Sequence, residues 1–118
     1  MYGINIDPKA VIGKGLYIAH FSGIEIGPCE MGEFCSIHQH VKIGSTRIVA
    51  KEKCPQIGSY VWVGSHARIT GNVIIGDNST VSAGTHVIKD ISPSNLVMGD
   101  PARVISTLYD NRSLLHLI

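Results

Sequence analysis

The sequence lacks the features that mark several common classes of protein. It contains no apolar run near the roughly 20 residues of a membrane-spanning helix, so we expect no membrane contact. Its net charge of +1 gives no reason to expect nucleic acid as a partner. It has three cysteines without Cys-x-x-Cys spacing, and no signal segment at Met1, which predicts a reducing, cytoplasmic location.

Aromatic residues are also scarce, at 6% of the chain, whereas isoleucine and valine are plentiful. Large rings therefore cannot fill the core, and β-branched side chains favour stacked strands over a helical bundle. A length of 118 residues fits one domain, which we expect to span residues 1–118.

An aliphatic residue recurs at every sixth position along most of the chain. The unbroken part is Ile57, Val63, Ile69, Ile75, Val81 and Val87. The same spacing holds earlier for Ile6, Ile12, Ile18 and Ile24, and after a slip of one residue for Met31, Ile37 and Ile43. A small or compact side chain follows by four positions, for example Ser22, Ala67 and Thr85. Both positions are expected to point inward.

A period of six matches neither the period of about 3.6 of a helix nor the alternation of an ordinary strand. It predicts an all-β solenoid with three flat faces and coils of about 18 residues. The repeat covers residues 4–91, which makes about four coils. Residues 44–56 interrupt it as a protruding loop, either a binding element or an ordinary surface loop, and residues 92–118 form a C-terminal capping segment.

The chain resembles the hexapeptide-repeat acyltransferases, and within that family the catalytic domain of serine O-acetyltransferases. Four stretches carry the resemblance: IDPKAVIGKGLYIAHFSGIEIG, VKIG with its loop, CPQIGSYVWVGSHARITGNVIIGDNSTVSAGTHVIKDI, and GDPARVI. They cover residues 4–106, without the family's helical N-terminal domain. The resemblance implies a single-stranded left-handed parallel β-helix, acetyl-CoA as co-substrate, and a homotrimer with active sites at subunit interfaces.

Transfer of an acetyl group from a thioester to an alcohol needs a base that takes the hydroxyl proton. His20, in IAHFSG, matches the family's catalytic histidine and is the candidate general base. Asn5 stands where the family has an aspartate that orients this base, and its uncharged amide would stabilise an imidazolium less than a carboxylate does. Glu25 and Glu33 are alternative partners that spacing cannot place.

Further departures from serine acetyltransferases fall at positions that handle the acceptor. Ala19 replaces an aspartate, Lys53 an arginine and Cys54 a histidine, while Arg47 adds to a basic loop. We assign acceptor binding to these four residues and take a sugar or polysaccharide hydroxyl as the leading acceptor, with serine as the alternative. For Cys54, packing at the foot of the loop is the competing interpretation, since no motif supports a nucleophilic thiolate.

The resemblance places acetyl-CoA beside Ser65, Ala83 and Gly84, small residues that let the pantetheine arm approach the backbone. Arg103 and Lys89 are the candidates for the nucleotide phosphates.

Two other functions stay open. His38 and His40 would point to the same side of a strand, and two imidazoles can hold zinc, but the His-x-x-x-x-His spacing of γ-carbonic-anhydrase-type β-helices is absent, so we expect no metal. A non-catalytic β-helix that only binds or assembles, having lost activity with Asn5, Ala19 and Cys54, is the alternative of another class.

Overall fold

The computed structural model describes residues 3–19, 22–44, 54–112 and 114. Within these ranges the chain forms fifteen short strands and no helix. They are β1 (Ile4–Ile6), β2 (Val11–Ile12), β3 (Tyr17–Ile18), β4 (Ile24–Ile26), β5 (Glu30–Met31), β6 (Ser36–Ile37), β7 (Lys42–Ile43), β8 (Gln56–Ile57), β9 (Trp62–Val63), β10 (Arg68–Ile69), β11 (Ile74–Ile75), β12 (Thr80–Val81), β13 (His86–Val87), β14 (Leu96–Met98) and β15 (Arg103–Ser106). The described part of the chain therefore offers no helix that could cross a membrane.

Every third strand stacks on the same face of a prism. The first face has the order β1-β4-β7-β10-β13, the second β2-β5-β8-β11, and the third β3-β6-β9-β12-β14 with β15 at its edge. Pairing is parallel throughout except between β14 and β15. Successive coils therefore exchange backbone hydrogen bonds, and the predicted all-β solenoid of about four coils, consistent with a left-handed parallel β-helix, is confirmed.

The core is a stack of aliphatic side chains inside the prism. On the first face Ile26, Ile43, Ile69 and Val87 follow one another in register, each at most 2% exposed. Side chains alternate between inside and outside along each strand, so adjacent residues of a strand point to opposite sides of the wall. The repeat of six is thus the repeat of core positions.

The register of the second coil differs from the sequence prediction. Ile6 pairs with Ile26, and Ile26 pairs with Ile43, so Ile26 and not Ile24 continues the repeat. Ile24 takes the inward position that we assigned to Ser22, which is exposed. The prediction was wrong here because two isoleucines two residues apart on a strand face the same side, and periodicity alone cannot choose between them.

The loop predicted at residues 44–56 ends one residue earlier, because Gln56 belongs to β8. Ile43 and its partner Ile69 are 26 residues apart, whereas Ile69 and Val87 are 18 apart, so this coil contains eight additional residues. Residues 45–53 lie outside the described part of the chain.

The C-terminal segment covers the last coil and then runs back along the prism. β15 turns antiparallel onto β14. Beyond it, the amide N–H of Tyr109 donates to the carbonyl of Ser94, and the Asn111 side chain donates to the carbonyls of Tyr60 (2.9 Å) and Ser79 (3.0 Å). Asn111 is fully buried, so the segment anchors across three coils. The predicted capping segment is confirmed for its described residues.

Candidate functional site

One corner of the prism collects several of the described candidate residues. It lies where the chain passes from the third face to the first, and we call it the histidine corner: Ala19, Ser22–Gly23, His38–His40, Gly64–His66 and Ser82–Gly84. Backbone hydrogen bonds stack these turns, from His40 N to the carbonyl of Ser22 (2.8 Å), from His66 N to that of Gln39 (3.0 Å), and from Gly84 N to that of Ser65 (2.8 Å). Ser65, Ala83 and Gly84 therefore lie on adjacent turns of this corner, and Ala19 enters it from β3.

The turns of this corner use left-handed backbone conformations. His40, His66 and Gly84 have φ of 59°, 63° and 72°. A histidine in this region costs more than glycine does, because Cβ crowds the following carbonyl. The His40 and His66 rings stack with centroids 4.7 Å apart, and a side chain at Gly23 would collide with the His40 ring. The corner therefore carries two imidazoles in a column, with glycine below them.

The column ends at Gly84 in open space beside the backbone, which we call the recess. A Cβ placed on Gly84 would meet no other atom within 4 Å, although the residue lies directly above His66 in the stack. Ala83 and Gly84 are exposed and Ser65 is half-buried. Small side chains at three adjacent positions leave the backbone accessible, which suits an extended ligand such as a pantetheine chain.

His38 points to different neighbours from His40. Its Nδ1 lies 2.9 Å from the carbonyl oxygen of Val63, and its ring lies 4.6 Å from that of Trp62. A carbonyl only accepts, so Nδ1 carries a proton, and in the neutral ring Nε2 keeps its lone pair. Both histidines lie in a turn and not on a strand, so the side-by-side pair considered for a metal does not form. The described residues contain no group of three or more metal-ligating side chains.

The cysteines are buried. Cys54 is 2% exposed, which fits packing at the foot of the loop and argues against the acceptor contact that we assigned to it. Burial raises the pKa of Cys29 to about 12 and that of Cys35 to about 11. These two thiols therefore stay protonated and cannot act as nucleophiles near neutral pH.

The outward side of the first face is a ladder of polar residues. Asn5 is in register with Glu25, and Glu25 with Lys42, whose Nζ lies 4.0 Å from the Glu25 carboxylate. Asn5 and Glu25 line the same cavity of about 290 Å³. Of the two alternative carboxylates, Glu25 is thus the one beside Asn5, whereas Glu33 lies at the corner between the second and third faces. The sequence could not show this, because the coil register brings the two positions together.

The two phosphate candidates are separated. Arg103 is exposed on β15, at the edge of the third face, and pairs with Met98 on β14. Lys89 is also exposed but comes after β13, at the other end of the first face. The role of both residues in phosphate binding stays a prediction.

His20, Arg47 and Lys53 lie outside the described residues, so their roles stay predictions.

Sequence reasoning missed a hydrogen-bonded group beside the corner. It consists of Arg68, Thr70, His86 and Asp100, which come from three coils. The only signal in the sequence is the aspartate within GDPARVI, and its partners become apparent only from the coil register.

Comparison with known proteins agrees with the fold. The family described as bacterial transferase hexapeptide (six repeats) matches residues 54–89. Residues 54–89 thus carry the repeat of the hexapeptide transferases.

The chain is similar to serine acetyltransferases. The enzyme of Synechococcus elongatus is 36% identical over 104 residues, which are 87% of this chain and 43% of that enzyme. The crystal structure of the Neisseria gonorrhoeae enzyme matches with a TM-score of 0.84 and 34% identity, over 94% of this chain and 43% of that one. A serine acetyltransferase in complex with CoA matches with a TM-score of 0.79 and 29% identity, over 86% of this chain and 42% of that one. The chain thus spans less than half the length of these relatives.

Proposed function

We propose that this chain catalyses acetyl-CoA-dependent acetylation of a hydroxyl, with serine as the acceptor. The observation that carries the proposal is the histidine corner, where Ser65, Ala83 and Gly84 border an open recess. Similarity to serine acetyltransferases over 87% of the chain, and to one that binds CoA, supports the same conclusion. It favours serine over the sugar acceptor that the sequence departures led us to prefer.

In this proposal His20 removes the proton from the acceptor hydroxyl while the oxygen attacks the thioester carbonyl, and CoA leaves as the thiol. The recess receives the pantetheine arm, and Arg103 receives a phosphate of the nucleotide. Asn5 holds the second ring nitrogen of His20, and the neighbouring carboxylate of Glu25 supplies negative charge nearby. Arg47 and Lys53, in the basic loop, bind the acceptor.

We further propose that the active unit is a homotrimer with sites between subunits, located in the cytoplasm. The buried thiols of Cys29 and Cys35, which form no disulfide, support a reducing environment.

A sugar hydroxyl remains the second candidate acceptor because of Cys54 and Ala19. The buried Cys54 presents no polar group to a bound serine, and Ala19 offers only a methyl group at the histidine corner. Both positions carry polar side chains in the resembling enzymes.

The test is release of CoA thiol from acetyl-CoA with serine, and separately with a panel of sugars and nucleotide sugars. Turnover with serine that exceeds turnover with every sugar supports the proposal. Turnover with a sugar alone would replace serine by the second candidate. Binding of acetyl-CoA without transfer to any acceptor would favour the non-catalytic alternative.

A further inference from the structure

The turn between β14 and β15 lies over the histidine corner. It comprises residues 99–102, and two backbone hydrogen bonds fasten it to the coil below. The amide N–H of His86 donates to the carbonyl of Gly99 (2.9 Å), and that of Ala102 donates to the carbonyl of His86 (3.0 Å). The turn leads directly into Arg103, the first residue of β15.

Side-chain contacts also hold the same turn. One carboxylate oxygen of Asp100 accepts a hydrogen bond from Arg68 Nη2 at 3.1 Å, and the other lies 3.4 Å from His86 Nδ1. His86 Nε2 in turn lies 3.0 Å from the hydroxyl of Thr70. We call these four residues the Asp100 bracket.

His86 has a polar partner at each ring nitrogen. Its Nδ1 faces the Asp100 carboxylate at an ion-pair distance of 3.4 Å, and its Nε2 lies within hydrogen-bond distance of the Thr70 hydroxyl. Its backbone N–H and carbonyl bond to the turn itself. His86 therefore contacts the turn through both its main chain and its side chain.

The Asp100 bracket holds the turn in place and contributes little to the stability of the whole fold. The Arg68 and Asp100 side chains are 48% and 57% exposed, and solvent screens ion pairs of this kind. The turn lies over the corner that contains Gly84 and leads directly into Arg103. A small displacement of a ligand-binding group is enough to weaken binding.

We propose that Asp100 is a positioning residue, which holds the turn at residues 99–102 so that Arg103 and the recess at Gly84 bind CoA together. The inference rests on the proposed function for its ligand and names a residue outside the site assigned above. It also explains why an aspartate in the closing GDPARVI stretch is useful to this chain.

The variant that tests the inference is Asp100→Asn, which keeps the shape of the side chain and removes its charge. Asp110→Asn is the matched control, because Asp110 is also an exposed aspartate paired with an arginine, but Arg112 lies in the same segment. The measurements are calorimetric binding of free CoA, KM and kcat for acetyl-CoA, and hydrogen exchange of the His86 and Ala102 amides.

For Asp100→Asn we expect binding of CoA to weaken about tenfold, as for loss of one charge-assisted contact. We expect KM for acetyl-CoA to rise in parallel, kcat and KM for serine to stay unchanged, and both amides to exchange faster. Asp100→Glu, which retains the charge, should recover part of the affinity, and Asp110→Asn should match wild type in every measurement.

CoA binding within twofold of wild type in Asp100→Asn, with unchanged exchange of both amides, would overturn the inference. Equal losses in Asp100→Asn and Asp110→Asn would also contradict it, because a general effect of charge would then explain both. If wild type itself binds no CoA, the proposed function fails, and the positioning of a CoA site by Asp100 fails with it.

Discussion

Two cysteines of the prism show how burial controls chemistry at the scale of a single residue. Cys29 and Cys35 are each 1% exposed, and desolvation is the largest cause of their raised pKa values. The thiolate is the reactive form of cysteine, so these positions pack and do not react.

We therefore predict that Cys29 and Cys35 resist alkylation in the folded protein. At pH 8 the thiolate fraction is about one part in a thousand or less at pKa values of about 11 and about 12. Mass spectrometry after iodoacetamide treatment should show both unmodified in buffer and modified in denaturant. Equal modification in the two conditions would contradict the burial of these thiols.

Site residues could be predicted where a sequence motif identifies them. They could not be predicted where only the coil register brings them together. Ser65, Ala83 and Gly84 follow from the resemblance, and the structure places all three at one corner. The pairing of Asp100 with Arg68 was missed. Arg68 and Asp100 are 32 residues apart in sequence, and only the stacking of coils brings them together.

At the scale of the strand, the hexad pattern identifies which side chains face inward. Ile69 on β10 is fully buried, whereas Ile74 on β11 points outward and is 53% exposed. The two residues belong to the same coil and to neighbouring strands. Because both are isoleucines, the same substitution at each isolates the effect of burial.

We predict that Ile69→Ala lowers the free energy of unfolding by about 2–5 kcal/mol, from lost apolar burial and the cavity left behind. Ile74→Ala, at an exposed position, should change it by less than about 0.5 kcal/mol. Urea unfolding followed by circular dichroism measures both. Similar losses in the two variants would mean that the inward assignment of the hexad is incorrect.

The strands and their faces could be predicted because a strict period of six leaves few alternatives. The register near Ile24 and Ile26 could not, since both residues face inward from one strand. The number of added residues in the third coil likewise became apparent only from the pairing of Ile43 with Ile69.

At the scale of the whole molecule, the prism gathers residues from four coils into one column. Gly23, His40, His66 and Gly84 belong to successive coils, and the stacking of equivalent turns aligns them. A solenoid thus builds a site along its axis, and small residues at one level open a recess beside bulky residues at the next. Such a column suits an elongated ligand better than a compact one.

The same geometry gives the recess an open side. Gly84 faces solvent, so a single prism encloses a ligand only in part. A neighbouring subunit against this corner would complete the enclosure, which is the physical reason for the trimer that we propose.

The central claim is that His20 is the base of an acetyl-CoA-dependent acetyltransferase. The most direct test compares CoA thiol release with serine and sugar acceptors by wild type, His20→Ala and the control His116→Ala. We predict that His20→Ala lowers kcat by about 10²–10⁴-fold, as for loss of a general base, while CoA still binds and His116→Ala behaves as wild type. Turnover by His20→Ala at the wild-type rate would contradict the account.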